Sequence, residues 1–153
     1  MQYKVIVSNK TEFEDWEECF KYLSDLLLQE KTVKPGYWES VYEREIECPT
    51  GLQTTTKYGI AIPHPMDPEL CVEPSVAVAV LSEPIDVHSM VNPSDTIPVN
   101  VVIMLALVSS ENHLKMLQKL METFNDESFI ESLRKCQNHE TVKSILEEKL
   151  RLH

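Results

Sequence analysis

Two apolar runs, Ser75 to Leu81 and Val99 to Leu107, the second broken only by Asn100, constrain the fold of this chain most strongly. A strand with one wet face alternates apolar and polar residues, whereas a continuous Val/Ala/Leu run fits a strand covered on both faces. The cover has to come from segments of helical period, and they lie on either side in the sequence. Phe13, Trp16, Phe20, Leu23, Leu26 and Leu27 form one apolar stripe reaching Gln29, with Thr11 as the expected cap ahead of Glu12 and Glu14. Tyr37 to Cys48 reads as a second helix, stopped by Pro49. His113 to Phe124 is a third, Asp126-Glu127-Ser128 opens a fourth, and Thr141 to Leu150 a last. Met1 to Val7 and Tyr58 to Ile62 predict two shorter strands. Helices, then strands, then helices around one sheet give a single α/β domain, a sandwich of about three layers.

The chain has 153 residues, which favours one domain with a sizeable core. A formal charge of −11 argues against a nucleic-acid surface, which needs a basic stripe. It suits a soluble protein, or one that docks on a basic partner by electrostatic steering. The four cysteines Cys19, Cys48, Cys71 and Cys136 show no CxxC spacing and predict reduced, structural thiols. Met1 to Val7 is too short and polar for a signal peptide, and Val99 to Val108 is only strand length. The expectation is a cytoplasmic protein with no membrane insertion.

The chemistry-bearing stretch is Gly59-Ile60-Ala61-Ile62-Pro63-His64-Pro65, a short apolar strand running into a histidine held between two prolines. Each proline fixes its own φ and biases the residue before it toward an extended conformation, so His64 is pre-oriented. A histidine so placed suits a nucleophile, a general base or a metal ligand. His113 follows the strand Val99 to Leu107 and so occupies an equivalent strand end. Ligand sites gather at the carboxyl ends of strands, so the two histidines meet if their strands are neighbours running the same way. His88, in a loop after a strand, His139, in an inter-helix link, and the C-terminal His153 are expected to face water.

Metal binding needs three or four ligands, and neither an HExxH nor a paired-cysteine pattern occurs, so no metal or cofactor is predicted. Acyl transfer lacks a GxSxG turn. With only Gly36, Gly51 and Gly59, the chain has no phosphate-cradling glycine loop. What survives is phosphoryl transfer with the histidine itself as nucleophile, which requires one oriented imidazole and donors for the phosphoryl oxygens. Arg44, one of three arginines, lies upstream of the His64 strand; its competing reading is a surface charge on an acidic helix.

Glu43-Arg44-Glu45, then Gly59 to His64, then His113-Leu114 with Leu117 and Leu120, then Asn125-Asp126-Glu127-Ser128 with Ile130 and Leu133, occur in that order. This succession resembles the fructose/mannitol-type (type 2) enzyme IIA domains of the bacterial phosphoenolpyruvate-dependent sugar phosphotransferase system. The resemblance covers roughly residues 11 to 150, and residues 1–153 are expected to form one such domain. The link Cys48-Pro49-Thr50-Gly51-Leu52 is similar to galactitol-type members.

The resemblance implies a mixed β-sheet flanked by helices on both faces. It implies that His64 accepts a phosphoryl group from the phosphorylated histidine carrier protein. His64 then passes it to a cysteine of the cognate enzyme IIB, and through that to the membrane enzyme IIC, for galactitol or a related polyol. His113 matches the second active-site histidine, which contacts the phosphohistidine, and Arg44 the arginine that stabilises the phosphoryl group. Two departures stand out. Pro65 replaces the glycine common after the active histidine, removing an N–H, and the link from Arg44 to the His64 strand is longer than in the mannitol type. The alternative is a regulatory domain of the same kind that senses phosphorylation and binds partner proteins without driving uptake.

Overall fold

The computed structural model describes residues 3–151. The chain runs β1 (Lys4–Val7), α1 (Trp16–Gln29), α2 (Tyr37–Glu47), β2 (Gly51–Gln53), β3 (Gly59–Ala61), a single 3-10 turn at Pro68–Leu70, β4 (Ser75–His88), β5 (Thr96–Ala106), α3 (Ser110–Phe124), α4 (Glu127–Lys135) and α5 (His139–Lys149). The strands form one sheet in the order β1-β4-β5-β3-β2. β1 is parallel to β4 and β3 to β5, while β4–β5 and β2–β3 are antiparallel, so the sheet is mixed as expected.

The continuous apolar runs are explained by two cores, one on each face. Ile60, Val76, Val78, Val101, Ile103 and Leu105 turn toward α3, α4 and α5. Ala61, Ala77, Ala79, Val102, Met104 and Ala106 turn toward α1 and α2. Successive strand residues point to opposite faces, so both sets of alternating positions must be apolar. The second face is rich in alanine, which lets α1 and α2 lie close to the strands. Each large side chain fully buried in these cores contributes about 1.5–3 kcal/mol.

Several boundaries differ from the sequence reading. Helix α1 is capped by Asp15, whose carboxylate accepts from the Glu18 amide at 2.9 Å. Thr11 instead lies alongside β4, its carbonyl accepting from the Ser82 amide at 3.0 Å. β2 falls inside the stretch read as a link, because three residues are too few to show a period. His88 is the last residue of β4, paired with Thr96, and not a loop residue. A register shift between Val80 and Ile85 lets β4 continue past the apolar run. His139 begins α5 instead of sitting in the link, behind an Asn138 cap. Met1, Gln2 and His153 lie outside the described residues.

Gly59 permits a close approach of β3 to the backbone of β5. A Cβ on Gly59 would lie 2.3 Å from the Pro98 carbonyl oxygen, a backbone atom that cannot swing away. Gly59→Ala is therefore expected to destabilise the protein by about 1–3 kcal/mol, read as a lowered urea midpoint. An unchanged midpoint would show that β3 and β5 are not packed this tightly.

Candidate functional site

β3 and β5 run the same way, with Ile60 opposite Val101 and Ala61 opposite Val102. The pairing extends past β3, where the Leu105 amide donates to the Pro63 carbonyl at 2.9 Å. His64 is therefore delivered at the carboxyl edge of the sheet. β5 leaves the same edge and turns into α3, whose Ser109 cap accepts from the Asn112 amide at 3.1 Å. His113 sits in the first turn of that helix. The two imidazole rings meet edge to face, with centroids 4.7 Å apart and planes inclined at 62°. The juxtaposition that the two strand ends required is present.

His64 is partly buried, and its Nδ1 lies 2.9 Å from the Ile62 carbonyl oxygen. A carbonyl only accepts, so Nδ1 carries the proton and Nε2 presents a bare lone pair. Burial pushes the His64 pKa down to about 4; the Ile62 bond opposes this, while the positive field of Arg44 and the neighbouring His113 add to it. Burial, then Arg44, also lowers the pKa of His113. Near neutral pH both rings are uncharged, and His64 is a ready nucleophile.

Arg44 comes to the site because α2 is docked there. The Tyr37 hydroxyl, at the start of α2, donates to the Leu105 carbonyl at 2.7 Å. At the other end, the buried Glu45 carboxylate accepts from the Thr50 amide and hydroxyl, both at 2.8 Å. Burial raises the Glu45 pKa, and the two Thr50 bonds work against it. The longer link is thus pinned back on the helix and does not carry Arg44 away. Arg44 Nε is buried and has no hydrogen-bond partner among the described residues. An orphaned guanidinium donor beside two histidines fits a bound oxyanion. One turn earlier on α2, Ser40 Oγ accepts from the Met66 and Asp67 amides, at 2.9 and 3.2 Å.

His88 and His139 stand apart from this cluster. His88 is exposed with Nδ1 3.0 Å from the Pro93 carbonyl, and His139 is exposed with Nε2 3.4 Å from Glu140. Among the described residues, no group of three His, Cys, Asp or Glu side chains is placed to hold a metal. All four cysteines are free, and among the described residues no helix is long and apolar enough to cross a membrane. A cavity of about 500 Å³ lies between Val7–Asn9, Val80–Ser82 and the α4–α5 junction. That is the opposite edge of the sheet, and the cavity touches none of His64, His113 or Arg44.

Residues 1–149 match the family described as the phosphoenolpyruvate-dependent sugar phosphotransferase system, EIIA 2. The chain belongs to this EIIA family. Its members carry phosphoryl groups between proteins, so the chain is a phosphotransferase. It is 30% identical over 141 residues to the mannitol-specific phosphotransferase enzyme IIA component of Halalkalibacterium halodurans, covering 91% of this chain and 89% of that one. It is 23% identical over 144 residues to the ascorbate-specific EIIA component of Salmonella paratyphi A, covering 90% and 86%. In fold it is similar to enzyme IIAMTL in the complex with phosphorylated enzyme IIBMTL from Escherichia coli, with TM-score 0.75, 21% identity and 92% of each chain covered.

Sequence reasoning placed His64, His113 and Arg44 on this EIIA domain but overlooked Tyr37, Ser40 and the Glu45–Thr50 clamp. The available signal was spacing, since Tyr37, Ser40 and Arg44 recur three and four apart on one helix face.

Because folding lowers the His64 pKa from 6.5 to about 4, the unfolded chain binds more protons there between those values. The His64 contribution to stability is complete above this window and is lost as pH falls through it. An NMR titration should place the His64 midpoint well below 6.5, and His64→Gln should flatten part of the decline in urea midpoint between pH 6.5 and 4. A His64 midpoint at or above 6.5 would refute the buried, neutral ring.

Proposed function

We propose that this EIIA domain, residues 1–153, is a cytoplasmic phosphocarrier in which His64 is the phosphoryl-accepting nucleophile. The observation that carries the reading is the tied tautomer of His64, with Nδ1 held by Ile62 and Nε2 free beside His113. The donor is the phosphorylated histidine carrier protein. His64 Nε2 attacks the phosphorus, the donor's N–P bond breaks, and its electron pair returns to the donor imidazole. The Nδ1 proton stays in place, so the charge gained by the His64 ring is stabilised by the Ile62 carbonyl. In the second step a cysteine thiolate of the cognate enzyme IIB attacks the same phosphorus, and the N–P bond breaks back to Nε2.

Arg44 supplies its unpartnered Nε and its charge to the phosphoryl oxygens, and His113 contacts the phosphohistidine from the other side. Both protein partners have to reach the same histidine in turn, so they dock on the same surface. Met66, two residues after His64, Leu114, next to His113, and Val108, between β5 and α3, are large apolar residues left exposed. They suit a docking patch set in a chain of formal charge −11, which steers basic partners toward it. Enzyme IIB passes the group on during uptake through the membrane enzyme IIC. The link through Pro49-Thr50-Gly51-Leu52 supports galactitol or a related polyol as the sugar, beside relatives named for mannitol and ascorbate.

Incubation with phosphoenolpyruvate, enzyme I and histidine carrier protein should yield an acid-labile, base-stable phosphate that His64→Ala loses entirely. Label persisting in His64→Ala would sink the reading. Arg44→Lys keeps the charge but not the Nε donor, and should accept phosphate at least about tenfold more slowly. His113→Ala is expected to be phosphorylated yet to transfer poorly to enzyme IIB; unimpaired onward transfer would remove His113 from the site.

A further inference from the structure

The turn that carries His64 has an unusual supply of backbone donors. Pro65 has no N–H. The next two amides, Met66 and Asp67, are both spent on one acceptor, Ser40 Oγ, at 2.9 and 3.2 Å. Ser40 reaches them from α2, is only 9% exposed, and is two helical turns' span at most from every α2 anchor already described. The helix around it cannot drift, since Tyr37 is bonded to Leu105 and Glu45 to Thr50. On the upstream side of the turn, Pro63 is held by the Leu105 amide at 2.9 Å. His64 is thus suspended between a clamp to β5 before it and a clamp to α2 after it.

We propose that Ser40 is a positioning residue for His64: its hydroxyl oxygen, by gathering the Met66 and Asp67 amides, fixes the turn in which Nδ1 of His64 faces the Ile62 carbonyl. Positioning for catalysis rests on the phosphocarrier reading above, but the geometric claim does not. A proline on each side restricts φ at residues 63 and 65 and leaves the direction of the turn beyond Pro65 to be set by outside contacts. Ser40 supplies the contact on that side. A serine side chain is short, and its oxygen has two lone pairs, one for each amide. Met66 and Asp67 are exposed residues, so water replaces the lost acceptor when the hydroxyl is removed. The fold therefore survives the change, and the placement of the turn is what is lost.

The test uses Ser40→Ala, Ser40→Cys, which keeps the volume with a weak acceptor, and Ser40→Thr, which restores the oxygen. The first readout is the ring nitrogen shifts of His64 and the hydrogen exchange of the Met66 and Asp67 amides, in unphosphorylated protein. The second is the rate of phosphoryl acceptance from phosphorylated histidine carrier protein. In Ser40→Ala and Ser40→Cys, both amides should exchange faster and His64 should show a mixture of ring tautomers. Acceptance should slow about tenfold in kcat, with KM for the carrier unchanged within about twofold, while Ser40→Thr stays close to the parent. A single Nδ1–H tautomer with unaltered kcat in Ser40→Ala and Ser40→Cys overturns the proposal. So does a loss confined to KM, or failure of Ser40→Thr to restore the tautomer. Because the tautomer is read without any phosphoryl donor, its outcome is separate from that of His64→Ala, which decides the phosphocarrier reading itself.

Discussion

Everything at the site depends on the parallel pairing of β3 with β5, which spans only Ile60–Val101 and Ala61–Val102 and one further bond from Leu105 to Pro63. Parallel strands leave a sheet at the same edge, so residues that follow them are brought together however far apart they are in sequence. Here forty-odd residues separate the histidines, and a ring distance of 4.7 Å follows from the register. The pairing tolerates its shortness because Ile60, Ala61, Val101 and Val102 are fully buried between the two helical layers. Gly59 lets β3 lie against Pro98, and the Asn100 side chain accepts from the Gly59 amide at 3.2 Å. A single register slip would turn the β3 side chains to the wrong face and carry His64 away from His113.

Helix α2 is the second plate of the site, and it works by period. Tyr37, Ser40 and Arg44 point from one helix face to the β5 end, the His64 turn and the His64–His113 pair respectively. Their contacts differ in kind: one fixes the helix, one fixes the turn, and one is left open. The open one is Arg44 Nε, buried without a partner. An unsatisfied buried donor costs stability, and such a cost persists where an incoming group supplies the missing acceptor.

The sheet, its double cover and the two histidines were legible because they depend on local patterns, namely continuous apolar runs, helical stripes and a proline-bracketed strand end. The reach of Arg44 was not legible. It depends on how α2 docks, and that rests on Tyr37 meeting Leu105 and Glu45 meeting Thr50; spacing along α2 marks a shared face but does not name these partners. Ser40 reads in sequence as an ordinary helical serine, and only the fold brings it against residues 66 and 67. β2 was hidden by its length, and His88 by a register shift that lets a strand run on through Pro84. The helix start moved from Thr11 to Asp15 because both are good caps and only packing against β4 decides between them.

The electrostatic arrangement favours transfer over storage. In the free protein burial, aided by Arg44, holds both imidazoles neutral, which keeps the Nε2 lone pair of His64 available. A phosphoryl group on His64, as proposed, would bring negative charge into the same space, opposite in sign to Arg44 and to the field it imposes on His113. On the phosphocarrier reading, His113 would then be a better donor to the phosphoryl oxygens than it is in the free protein. When the group departs, the negative charge leaves with it and the original bias returns. Neither state is held by a buried ion pair that would have to be broken, since His64, its partner His113 and the edge of α2 stay partly exposed. A site built this way would stabilise a phosphoryl group on His64 enough to accept it, while leaving the surface open for the next nucleophile to reach the phosphorus.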